Sequence, residues 1–455
     1  SEVINSGRIV GDTGEKLVGI SVDADSTAKN TATGTITMNT DSNTGIASKG
    51  GEVTNEGEIT LKGIKSTGIS SENGDVTNSG TGTKGIKVKN EKSVGIYAKL
   101  TGNDDKTVSN TGTISLETPT GLTPEKSAAI YSLIDSGTGK LTTENNGTIN
   151  VDQKDSVGIF AQNNGTANTR SVVKNTKIIN VSKEGSAGIL GEKSTITNSG
   201  AGTDGIVLTA IKTAGIIGNN DSKVSNAGRI ETTGITPADA TEGLVGISLN
   251  ASTGTNETGG TITLGTDFST GMYGKAASTL TNYGTITGNN KHAVGMAADA
   301  STATNETTGT ITLNGVNSTG MFGESAAKLI NKNTIDGNAV GAVGMAVNAS
   351  TAENNNGATI NLIANNSTGI FGKAASTVTN AGTIDMKTAV PSKIEEGLVG
   401  IALDASTGTN TSAGKIKIGT AYSTGMFGTA GSTATNEGSI TGDKLKAVGM
   451  AGNAS

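Results

Sequence analysis

The sequence predicts an all-β fold, a parallel β-helix (β-solenoid) of about 17 coils of about 24–25 residues with an internal asparagine ladder. Three observations predict it. A Gly-[Ile/Met] signature recurs from Gly19-Ile20 to Gly449-Met450, an Asn-Gly-Ile motif runs in parallel with it, and the segments between alternate apolar residues with Thr. Period-two alternation marks strands, and a repeat of this length leaves room for three short strands and three turns.

The signature stretch Ser269–Thr287 (STGMYGKAASTLTNYGTIT) returns as Ser367–Asp385 and Ser423–Thr441. Its Gly can be followed through Gly45, Gly68, Gly95, Gly158, Gly188, Gly215, Gly246, Gly271, Gly295, Gly320, Gly344, Gly369, Gly400 and Gly425, with Ala129-Ile130 filling the wide gap after Gly95. The Ile or Met that follows is expected to stack in a core column. The second landmark has a short form, Asn-x-Gly-x-Ile, at Asn5, Asn55, Asn110, Asn145, Asn226, Asn282, Asn380 and Asn436. A long form with two more residues stands at Asn30, Asn256, Asn305 and Asn410, and Asn331 carries Asn333 where the Gly belongs. Asn55, Asn110, Asn226, Asn282, Asn331, Asn380 and Asn436 are therefore expected to form a buried amide ladder. The Gly after each is expected at a corner of positive φ.

Coils at roughly 4.8 Å each would stack into a rod about 80 Å long. Residues 1–245 read as less regular coils with inserted loops. Residues 246–455 read as regular two-coil repeats of the same continuous β-helix, with signature steps of 49 residues at Gly246, Gly295 and Gly344. Both termini look like cuts through a coil, so the chain reads as a piece of a larger protein.

Three insertions, Glu117–Ser127, Thr232–Gly243 and Met386–Gly397, hold all four prolines. All fall between the Asn-motif strand and the signature strand and should leave the same corner. Loops on a rigid scaffold are where binding residues concentrate. The candidate ligand-contact residues are Pro119, Thr120, Lys126, Pro237, Asp239, Glu242, Pro391, Lys393 and Glu395. A fourth irregularity, Gln162–Val173 with Arg170, belongs to a different corner.

Composition excludes several classes. The 455 residues carry a net charge of −6, unlike a general nucleic-acid binder. There is no Cys, hence no disulfide or thiolate metal site. Gly80-x-Gly82-x-x-Gly85 matches a dinucleotide fingerprint as a string but lacks its strand-to-helix setting. Only His292 could serve a catalytic triad, and it reads as an exposed turn residue. The acid pairs Asp104-Asp105 and Glu395-Glu396 do not recur down a face, as a lyase groove would require. No enzyme, cofactor or metal is expected.

Seven of the ten aromatic residues share the position after the core Ile/Met: Tyr97, Tyr131, Phe160, Tyr273, Phe322, Phe371 and Phe427. They read either as rings covering the Ala or Ser of the next coil, or as an outward stripe for sugars or protein partners. The Thr-Ile-Thr strands at Thr261, Thr285 and Thr310 form Thr rows, broken at Ser115, Glu231 and Asp336, and read as exposed strand formers.

The recurrent Ser-Thr-Gly-[Met/Ile]-Phe-Gly-Lys-Ala-Ala, Ala-Val-Gly-Met-Ala and Thr-Asn-x-Gly-Thr-Ile resemble the passenger repeats of large fusobacterial autotransporter (type V secreted) outer-membrane adhesins. The resemblance implies a right-handed β-helix passenger displayed on the cell surface. It further implies attachment to host-cell proteins or glycans and coaggregation with other bacteria. The net charge and the lack of an apolar span lead us to expect no nucleic-acid partner and no membrane insertion by this segment. No ligand-contact residue maps across. The alternative is a passive stalk whose binding region lies elsewhere.

Overall fold

The computed structural model describes residues 1–165 and 171–453, and Arg170 of the fourth irregularity lies outside them. The chain falls into two compact units, Ser1–Ile230 and Glu231–Ser455. Each is a parallel β-solenoid, and the fifty-one strands among the described residues fall into seventeen triplets.

One coil of the second unit shows the plan. A four-residue strand, Thr279–Asn282, ends in the ladder Asn; a second, Thr285–Gly288, carries the central Ile; the six-residue signature strand Val294–Asp299 completes the turn. Each pairs in parallel with its equivalent one coil on, as in Asn282↔Asn305, Ile286↔Ile311 and Met296↔Met321. In-register pairing therefore places equivalent positions over one another in successive coils. Ile96, Ile130, Ile159 and Ile189 in the first unit, and Met272, Met296, Met321 and Ile370 in the second, are fully buried. Each contributes about 1.5–3 kcal/mol. Among the described residues no helix is long and apolar enough to cross a membrane.

The Asn ladder is present. In the first unit each Nδ2 donates to the Oδ1 of the next coil from Asn5 to Asn226, as in Asn55→Asn78 at 2.8 Å and Asn110→Asn145 at 2.7 Å. In the second it runs from Asn256 through Asn282, Asn305, Asn331, Asn354, Asn380 and Asn410 to Asn436. Asn78, Asn175, Asn198 and Asn354 belong to it although their sequences depart from both motif forms. Lys177 and Ala358 stand where Gly is expected after Asn175 and Asn354, and longer turns separate Asn78 and Asn198 from their Ile.

The corner Gly has a different reason from the expected one. Gly57, Gly112, Gly284 and Gly382 keep φ outside the left-handed region, and so does Asn333. What they require is space. A Cβ on Gly57 would stand 2.2 Å from the Gly34 carbonyl oxygen, and one on Gly284 2.2 Å from that of Gly260. The signature Gly is constrained likewise: a Cβ on Gly271 would meet the Gly295 carbonyl oxygen at 2.5 Å.

Left-handed backbone appears instead before the signature strand, mostly on residues that are not Gly: Ser42, Lys65, Lys92, Lys126, Asp155, Phe268, His292, Asn317, Asn366, Tyr422 and Lys446. Except at Lys446, their N–H groups donate to the equivalent turn one coil on, as in Lys92→Glu125 at 2.9 Å and His292→Val316 at 2.9 Å. A repeated backbone hydrogen bond thus holds a conformation that costs about 1–3 kcal/mol elsewhere.

The Ser residues bracketing the signature are also structural. Ser93, Ser127 and Ser156 accept from the backbone N–H one coil below them, and Ser278, Ser301, Ser350 and Ser376 do so on the other side of the strand. Sequence reading assigned these Ser no role, although their fixed register was visible.

Candidate functional site

The three Pro-containing loops leave the turn between the Ile strand and the signature strand, as expected. The first joins Thr113–Leu116 to Ala128–Ile134. Pro119 is half-buried, Thr120 exposed and Pro124 buried. Lys126 is the left-handed turn residue, and its ammonium pairs with Glu125 at 2.8 Å, which holds the Glu125 carboxyl below its usual range. Thr118 donates its hydroxyl hydrogen bond to the Asp152 carbonyl. A recess of about 230 Å³ is lined by Thr118, Thr123, Pro124, Lys154, Lys183 and Glu184. That is below the usual ligand-pocket range of about 300–1,000 Å³.

The second and third loops share a motif that sequence reading passed over: Pro237-x-x-x-x-Glu242-Gly243-Leu244-Val245 and Pro391-x-x-x-x-Glu396-Gly397-Leu398-Val399. In both, the Pro and the Leu are buried, and a short 3₁₀ turn, Ala240–Glu242 or Ile394–Glu396, precedes the Gly. Glu242 Oε2 accepts from the Ala238 N–H at 2.8 Å, and Glu396 Oε2 from the Ser392 N–H at 2.9 Å. Asp239 caps the first turn, accepting from Thr241 N at 2.8 Å. Pro237, Pro391, Asp239 and Glu242 therefore shape the loops from within. Lys393 and Glu395 face outward, beside Val390 and Ile394 at 84% and 70% exposure. Backbone and hydroxyl donors from Ser392 hold the Glu396 carboxyl below its usual range.

His292 is not the exposed turn residue expected from its neighbours. It is half-buried and stacks on Phe268, with ring centroids 4.7 Å apart and 10° between planes. Tyr422 and Lys446 repeat this pairing as a cation–π contact at 5.0 Å. Each pair follows one of the two Glu-Gly-Leu-Val loops. Its two members stand in left-handed turns of successive coils.

The aromatic row faces outward in both units, half-buried throughout. In the first unit the register runs without interruption through Tyr97, Tyr131, Phe160, Leu190 and Ile217. Tyr97 and Tyr131 meet edge-on at 5.3 Å, and Tyr131 stacks on Phe160 at 4.7 Å. Burial raises the Tyr97 and Tyr131 phenols, and the Tyr131 hydroxyl donates to Gln162 Oε1 at 2.6 Å. In the second unit the same register alternates: Tyr273, Ala297, Phe322, Ala346, Phe371, Ala402, Phe427.

Lysines pair with acids across coils, as in Lys29–Glu56, Lys87–Glu58 and Lys174–Glu144. Among the described residues no three carboxylate or imidazole side chains converge to hold a metal ion. Between Asn78 and Gly85 the Gly80–Gly85 segment is a turn, with Gly82 and Gly85 at positive φ, and it opens onto a strand.

Residues 1–132 and 337–454, together more than half of the chain, match the family described as the BigA third pectate lyase-like domain. The chain belongs to this family. The family is one of bacterial surface proteins, which places this β-solenoid among extracellular, surface-exposed domains. No curated protein matches the chain. Among solved structures, a PL6 alginate lyase in complex with a trisaccharide is similar at a TM-score of 0.22 and 12% identity, over 90% of this chain and 85% of that one. A likeness of that size carries no argument about activity. The family description itself contains the words pectate lyase-like, so a lyase is the catalytic activity against which the expectation of a non-enzyme has to be tested.

Proposed function

We propose that this domain is the passenger segment of a bacterial surface adhesin, of the autotransporter kind that its repeats resemble, and that it is not catalytic. Its partners are host-cell surface proteins or glycans and other bacteria. The observation that carries this reading is the third loop. Buried Pro391 and Leu398 and the Glu396–Ser392 hydrogen bonds fix it, while Val390, Ile394, Lys393 and Glu395 face solvent. An ordered loop with exposed apolar side chains loses little entropy when it docks, which favours recognition. A lyase needs a base placed at the abstracted proton. Lysines such as Lys87 and Lys174 are held in cross-coil ion pairs, which supports the non-catalytic reading.

The test replaces residues 387–397 with the short turn 289–292 of another coil, which spares core residues Met386 and Leu398. Full-chain binding to host cells and partner bacteria is expected to fall with the circular dichroism unchanged. Equal binding by both forms removes the loop from the contact, and no binding by either folded form leaves a spacer. Release of unsaturated uronate from pectate or alginate would replace this reading with a lyase.

A further inference from the structure

We propose that the outward face of the signature strands in the second unit is a binding platform for a neutral, extended, β-1,4-linked glycan lying across successive coils. The face has three columns. One alternates Thr270, Val294, Thr319, Val343, Thr368 and Val399; the central one alternates Tyr273, Ala297, Phe322, Ala346, Phe371 and Ala402 in phase with it. The third is polar: Lys275, Asp299, Glu324, Asn348, Lys373 and Asp404. Phe322 and Phe371 therefore have Ala as neighbour above and below, and Tyr273 has Ser248 and Ala297; each ring has a hydroxyl on one side and a charged group on the other.

The rings recur every second coil, about 9.5 Å apart at two inter-strand spacings. A β-1,4-linked glycan in its extended two-fold form presents the same flat C–H face once per disaccharide, a repeat of closely similar length. Every second sugar would then meet a ring, and the sugar between would lie over the smaller Ala side chain. The polar column mixes Lys with acids and amide, so it offers donors and acceptors to sugar hydroxyls without the excess positive charge that a polyuronate needs. The first unit lacks this platform. Tyr131 and Phe160 stack on each other and cover the faces a sugar would use.

This inference goes beyond the adhesive reading and does not use the loops, so the two fail separately: loss of cell binding on loop replacement leaves it standing. Its test is affinity electrophoresis of the full chain through gels containing hydroxyethylcellulose, with dextran and alginate gels beside them. The chain is expected to be retarded by hydroxyethylcellulose alone. The double variant Phe322→Leu/Phe371→Leu keeps apolar bulk, as Leu190 does at this register in the first unit, and should weaken retardation about tenfold. Equal loss from Tyr131→Leu/Phe160→Leu would move the site to the first unit and overturn the proposal. No retardation by hydroxyethylcellulose, undiminished retardation of the double variant, or stronger retardation in alginate would each overturn it as well.

Discussion

The two units share one backbone plan and dress the same outward position differently. In the first, Tyr97, Tyr131, Phe160, Leu190 and Ile217 follow one another coil by coil, and the rings touch. In the second, every ring is separated from the next by an Ala. The backbone does not decide this, because strand register is equivalent in both. The period of the sequence does: single-coil repetition stacks rings, and two-coil repetition spaces them. Ring–ring contact is worth about 0.5–1.5 kcal/mol beyond burial. The first unit therefore uses its rings to hold successive coils together, whereas in the second Ala keeps the rings apart. The start of the Ile strand differs too: it varies from Glu58 to Gly85 to Thr113 in the first unit, whereas Thr261, Thr285, Thr310, Thr334, Thr359 and Thr383 run unbroken in the second.

Beneath the decoration the ladder should make the units alike. Asn110→Ala in the first and Asn282→Ala in the second each leave one neighbouring amide without its acceptor and another without its donor, at about 1–3 kcal/mol apiece. Equal, large losses in chemical denaturation are expected; a loss in one unit only would show that the ladder carries different weight in the two. The signature Gly column is the next effect. Gly271→Ala forces a Cβ against the Gly295 carbonyl and should cost about 1–3 kcal/mol. Ala129→Gly, at the one coil of the first unit where Ala already occupies the column, should cost less; equal melting shifts would contradict the steric account.

Ring removal tests the comparison directly. Tyr131→Ala loses contacts with Tyr97 and Phe160 and the Gln162 hydrogen bond, so it should destabilise by about 1–3 kcal/mol more than Phe322→Ala. Equal midpoints would mean that the stacked rings contribute nothing to the first unit. The smallest effect is one of pH. The Glu396 carboxyl is depressed in the folded state, so its contribution is present above the ordinary carboxylate range and lost as pH falls through the folded value. Hydrogen exchange at the Ser392 N–H, corrected for its intrinsic pH dependence, should lose protection on acidification, and Glu396→Gln should flatten that loss. Unchanged protection in acid would remove the carboxylate from the loop's support.

Much of this was legible from the chain because a solenoid translates sequence period directly into register. The Gly-[Ile/Met] and Asn motifs located most coils, the core columns and the sites of all three Pro-containing loops. Asn78 and Asn198 escaped because turn length between the ladder strand and the Ile strand varies without moving the ladder, and Asn175 and Asn354 because Lys177 and Ala358 replace the motif Gly. The roles of the bracketing Ser residues and of the corner Gly also stayed hidden, since both depend on atoms of the neighbouring coil, more than twenty residues away. The same holds at the loops: Pro237, Pro391 and Glu242 look like surface residues in the sequence, yet folding turns the prolines inward and gives Glu242 a backbone partner. His292 has no aromatic neighbour along the chain and finds Phe268 only across a coil. By itself, then, the sequence determined the repeat, the parallel β-solenoid and which residue types recur in each column. Tertiary structure alone decided which Gly needs space rather than positive φ, which loop side chains are spent on the loop itself, and which rings touch, because each of these is set by the distance to the next coil.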